Sequence, residues 1–96
     1  MFIIDLDYIK ALDEVEKFIP GHRQFLEKYY ASAKFVMSGR KEPRTGGIII
    51  ANCASRAEVE TLIQEDPFYR EAIARYTITE FIPTMTADFL RNLKVT

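Results

Sequence analysis

The sequence predicts an α+β sandwich of ferredoxin-like type: a βαββαβ chain whose four strands form one antiparallel sheet with the helices on one face. Three observations carry that reading. Period-2 alternation appears at Phe2–Tyr8 and again at Tyr76–Ile82; two apolar stripes at helical spacing begin near Lys10 and at Ser55; and two further strand-like runs flank a polar loop holding Pro43 and Gly46. No internal repeat and no linker interrupts the pattern, so one domain is expected over residues 1–96, with 84–96 as a C-terminal tail.

In the first run Phe2, Ile4, Leu6 and Tyr8 share one side and Ile3, Asp5 and Asp7 the other, so one face is core. From Lys10 the period lengthens. Leu12, Val15, Phe18 and Ile19 recur at helical spacing until Pro20-Gly21 interrupts, and His22, Phe25, Leu26, Tyr29, Tyr30 and Ala33 continue the stripe. A broken helix is expected, with His22 starting its second segment. Phe35–Gly39 reads as the second strand, Phe35 and Met37 opposed to Val36 and Ser38, and Lys41–Gly46 as a hairpin loop.

Gly47–Cys53 is apolar on both alternations, as a central strand covered on both faces would be. Helices cover only one face of such a sheet; a second copy of the chain is the simplest cover for the other. Ser55-Arg56-Ala57-Glu58 matches the capping box and starts the next helix. Val59, Leu62 and Ile63 form its inward face, Asp66-Pro67 breaks and restarts it, and Phe68, Ala72 and Ile73 carry the stripe on. Tyr76–Ile82 is the fourth strand, stopped by Pro83. In the tail, Phe89, Leu90 and Leu93 suit a short amphipathic helical segment that docks, with a partner subunit as one candidate surface.

Composition narrows the function classes. Among 96 residues, 48% are hydrophobic, enough for a core without disulfides or metal; 13 basic and 14 acidic side chains are spread along the chain and leave a net charge of −1, which gives no reason to expect nucleic acid or an anionic membrane. The lone cysteine, Cys53, has no internal partner and falls in an apolar run, which fits a reducing compartment. No basic leader and no apolar run of spanning length is seen, so a cytoplasmic location is expected.

Chemistry centres on few residues. Asp66 precedes Pro67, so its carboxylate can cap the helix that Pro67 starts. His22, the only histidine, lies on an apolar stripe where a hydrogen-bonding partner is wanted. It reads either as a half-buried ring bonded to a carbonyl or as a general acid/base; Asp66 reads either as a cap alone or as a cap that also orients His22, since a cap uses one oxygen. Ser38 and Gly39 end a strand and suit close approach of a ligand, though a strand end before a loop explains them too. Arg40, Lys41 and Arg44 cluster at the loop, where they form a solvated tip or attract an anionic substrate. There is no serine-triad signature, no zinc spacing and no phosphate loop, so neither metal nor cofactor is expected.

Taken in series, Pro20-Gly21-His22-Arg23-Gln24-Phe25-Leu26, Met37-Ser38-Gly39, Pro43 through Ala51 and Glu65-Asp66-Pro67-Phe68 resemble the YciI-like family over nearly the whole chain up to Thr84. That family is similar in fold to muconolactone isomerase. The resemblance implies a subunit that pairs sheet to sheet as a dimeric α/β barrel, with further association open. It also implies a cleft in which His22 and Asp66 form a catalytic dyad with Ser38 close by. The activity it suggests is lyase, isomerase or dehydrohalogenase-like action on small oxygenated aromatic or anionic molecules. Two positions depart from the family's habit. Arg40 stands where Pro often follows Ser-Gly, which charges the cleft mouth, and Gly21 stands where Ala often precedes the histidine, expected only to loosen the helix break. The alternative to an enzyme is a non-catalytic homodimeric module that binds a small ligand or serves as an interaction module.

Overall fold

A computed structural model describes residues 1–93; the last three residues of the expected tail lie outside them. The strands are β1 (Phe2–Tyr8), β2 (Phe35–Arg40), β3 (Gly46–Ala51) and β4 (Ala74–Glu80), and they form one antiparallel sheet in the order β2-β3-β1-β4. The helices are α1 (Leu12–Lys17), α2 (Ile19–Ala31), α3 (Arg56–Leu62) and α4 (Pro67–Arg70), with a turn of 3₁₀ helix at Ile63–Glu65 between α3 and α4. This is the predicted βαββαβ order. β4 starts and stops two residues earlier than the alternation alone suggests.

One side of the sheet carries the core. Phe2, Ile4 and Leu6 of β1 and Ile49 and Ala51 of β3 pack with Val15, Phe25, Val59, Leu62 and Phe68 from the helices. Each large apolar side chain so buried contributes roughly 1.5–3 kcal/mol. On the reverse side Ile3, Ile48 and Ile50 are half-buried and Met37 is 58% exposed; no helix covers them. There Lys41 Nζ bridges Asp5 at 2.5 Å and Asp7 at 2.7 Å, which lowers the Asp7 carboxyl below its usual range and raises the Lys41 ammonium.

Two expectations are corrected. Pro20 does not break the helix; the break falls at Phe18, and Pro20 occupies the first turn of α2, where its missing N–H costs nothing. His22 is therefore one turn inside α2, its amide already bonded to Phe18 O at 2.9 Å. In β2, Phe35 and Met37 do not share a face. Phe35 pairs with Ala51 and Met37 with Ile50, so Val36 is an extra, bulged residue and the alternation changes phase after it. Ser38 (opposite Ile49) and Arg40 (opposite Gly47) thereby turn to the helix side.

Helix ends complete the frame. Ser55 caps α3 through Glu58 N–H at 3.2 Å, but the Glu58 carboxylate turns to Lys34 at 2.9 Å rather than closing the box. α2 and α4 both end without glycine, on Ala33 (φ 60°) and Ala72 (φ 52°), each in the two-bond Schellman pattern. The expected tail helix is a 3₁₀ segment, Asp88–Leu93, with Phe89 84% exposed, so it does not bury that ring on its own subunit.

Candidate functional site

α2 and α4 approach closely at their starts, because Gly21 faces Pro67: a Cβ on Gly21 would lie 3.0 Å from Pro67 Cγ. The glycine thus does more than loosen a helix. It lets the next residue, His22, reach the residue that precedes Pro67.

That residue is Asp66, which is 0% exposed and is the one charged side chain buried among the described residues. Its Oδ1 accepts from Phe68 N–H at 3.0 Å and so caps α4. His22 Nδ1 lies 2.9 Å from Oδ1 and 3.0 Å from Oδ2, and Oδ2 also accepts a short bond from the Tyr76 hydroxyl. The cap therefore does not leave one oxygen spare; both are shared among three donors. Because the other two partners are donors as well, the carboxyl acts as acceptor throughout, and the network assigns the His22 proton to Nδ1 in the neutral ring. Burial, together with the Asp66 charge, pushes the Tyr76 hydroxyl far above its usual range, so it donates throughout.

The His22 ring lies flat against Phe68, with centroids 4.2 Å apart and planes at 7°. Its side chain is 16% exposed. Among the described residues Nε2 has no hydrogen-bond partner, and the ring borders a cleft of about 450 Å³ between α2 and the β2–β3 end of the sheet. Ser38, Arg40 and Arg44 line the same cleft over a floor that includes Leu6, Leu26, Ile49 and Phe68. Ser38 Oγ is fixed by Tyr30 OH at 2.6 Å, and Arg44 is tied to Glu16 at 2.9 Å. Lys41 is not a cleft residue; it serves the reverse side of the sheet.

The sequence profile of the YCII-related domain matches residues 1–82. The chain belongs to the YCII-related family. Among solved structures this YCII-related chain is similar to the 5-chloro-2-hydroxyhydroquinone dehydrochlorinase TftG of Burkholderia phenoliruptrix AC1100, solved with 2,5-dihydroxybenzoquinone. The TM-score is 0.72 with 18% identity, over 86% of this chain and 95% of that one. At that identity the likeness speaks to fold, the ferredoxin-like arrangement that dimeric α/β barrels share. No protein of curated function matches the chain in sequence.

Sequence reasoning missed three parts of this YCII-related site. Tyr76 carried a signal, since an inward tyrosine on a strand needs a partner for its hydroxyl. Phe68 was visible only as a core residue, and Arg23, which also lines the cleft, only as a neighbour of His22. Among the described residues no group of three or more His, Cys, Asp or Glu stands together as a metal site, and no helix is long and apolar enough to cross a membrane.

Proposed function

We propose that this YCII-related protein is a small homodimeric enzyme in which His22, held by Asp66, performs general acid/base proton transfer on a small oxygenated aromatic or anionic molecule. The reaction is of lyase, isomerase or dehydrohalogenase type. The observation that carries the reading is the Nδ1 contact at 2.9 Å to a wholly buried carboxylate, on a ring that borders the cleft. The fold likeness to a dehydrochlorinase supports it.

In the neutral ring the Nε2 lone pair takes a proton from a carbon or hydroxyl of the substrate, and the imidazolium so formed keeps its Nδ1–H on Asp66. Asp66 thereby stabilises the charge at the moment it appears. The proton is then returned to another atom of the same molecule in an isomerisation. In an elimination the substrate expels its leaving anion and the proton passes to water. A base positioned in this way contributes typically about 10²–10⁴-fold in rate. Stacking on Phe68 fixes the ring plane, and Ser38 offers a hydroxyl to substrate oxygen.

The dimer forms through the reverse side of the sheet, where the isoleucines of β1 and β3 and Met37 await a cover and Lys41 pairs with both Asp5 and Asp7. The test is His22→Ala, assayed on halogenated and unhalogenated hydroxyaromatics by halide release and ring absorbance, with sedimentation in parallel. Folding and assembly are expected to persist while turnover disappears. Unchanged turnover would remove His22 as the base, and a wild type that binds such compounds without converting them would overturn the enzymatic reading.

A further inference from the structure

The cleft is charged in a way that the chain as a whole is not. The protein has a net charge of −1, yet Arg23, Arg40 and Arg44 line the cleft and no aspartate or glutamate does. Only Arg44 has an acidic partner; Arg23 and Arg40 make no ion pair among the described residues. Nor are these charges gathered on one exposed tip. Arg23 follows His22 on α2, while Arg40 stands at the end of β2 on the opposite wall.

Arg40 reaches that wall because of two local features. The bulge at Val36 turns the end of β2 to the helix side, and the residue opposite Arg40 is Gly47, which has no side chain to fill the space. Without the extra residue in β2, both Ser38 and Arg40 would face the reverse side of the sheet, away from His22.

Resting on the proton-transfer reading for its location, we infer that Arg23 and Arg40 form a two-sided clamp for a carboxylate, and that the substrate is a hydroxylated ring bearing one carboxylate. Guanidinium forks match the planar carboxylate and can bind it through paired N–H bonds. The apolar floor of Leu6, Leu26 and Ile49 suits the ring. With the carboxylate between the two walls, the ring lies over that floor and presents a hydroxyl or a ring carbon to His22 Nε2.

The probes are 2,5-dihydroxybenzoate and its uncharged analogue 2,5-dihydroxybenzamide, titrated into the full chain and followed by amide chemical shifts of cleft residues at two salt concentrations. The acid is expected to bind at least about tenfold more tightly than the amide, a difference of about 1.4 kcal/mol, and its affinity is expected to fall with salt. Arg40→Gln and Arg23→Gln should each remove most of that preference. Both side chains are exposed, so the thermal unfolding midpoint should stay at the wild-type value. Equal affinity for acid and amide, a preference that survives both substitutions, or no cleft shifts with the acid would each overturn the clamp. The proton-transfer reading fails separately: a cleft that prefers the acid while His22→Ala leaves turnover unchanged keeps the clamp and removes the base.

Discussion

Asp66→Asn alters the site by one heavy atom and turns one acceptor into a donor. Asn is nearly as good a cap as Asp, so its Oδ1 keeps the bond from Phe68 N–H. The amide NH₂ then occupies the place of Oδ2, facing Tyr76 and His22. Tyr76 can accept through its oxygen. His22 Nδ1 can accept only if its proton moves to Nε2, which takes the lone pair away from the cleft and should lower turnover by about 10²–10⁴-fold. Two charge-assisted bonds become neutral ones, at a loss of about 1 kcal/mol each, so the variant should be about 2 kcal/mol less stable and still fold. Asp66→Ala is different: it strands three donors in a site with 0% exposure. At about 1–3 kcal/mol for each orphaned group, that approaches the whole stability of a small domain. Long-range ¹H–¹⁵N spectra of the imidazole report the tautomer directly, and thermal unfolding reports the stability. An Asn variant that keeps its proton on Nδ1, or an Ala variant as stable as the Asn one, would refute the reasoning.

Other changes test the frame. A Cβ on Gly46 would sit 1.8 Å from Leu6 O, so Gly46→Ala must part β1 from β3, and we expect a loss above about 3 kcal/mol in urea unfolding. Ala33→Gly and Ala72→Gly relieve positive φ at two Schellman ends, and each should raise stability by about 0.5–1 kcal/mol. Burial pushes the Cys53 thiol from near 9 up to about 11. The folded thiol thus holds its proton more tightly than the unfolded one, so its contribution is complete below pH 9 and is lost as pH rises toward 11. Unfolding midpoints of wild type should therefore fall more steeply over that range than those of Cys53→Ala.

The sheet was legible because β1 and β4 follow strict alternation and a glycine–proline loop separates β2 from β3; the Asp66 cap was legible because aspartate before proline has few other uses in a helix start. What could not be read depended on three-dimensional neighbours. The Val36 bulge is invisible in a short apolar run, yet it decides which way Ser38 and Arg40 point. The helix break moved to Phe18 because proline is tolerated in a first turn, and the ends of α2 and α4 lacked their usual glycine. His22 and Asp66 each had a local explanation; the packing of α2 on α4, close at Gly21 and Pro67, brings them together, 44 residues apart in the chain. Tyr76 joined them from β4, a strand whose pattern gave its direction but not its partner.

The role of His22 is tested most directly by the position of a bound hydroxylated ring. In a crystal of the protein with 2,5-dihydroxybenzoate, a ligand oxygen or ring carbon should lie opposite His22 Nε2, with the oxygen at a hydrogen-bond distance of roughly 2.6–3.2 Å and Nδ1 still on Asp66. A ligand seated elsewhere, or an imidazole turned so that Nε2 meets Asp66 and Nδ1 faces the cleft, would contradict it.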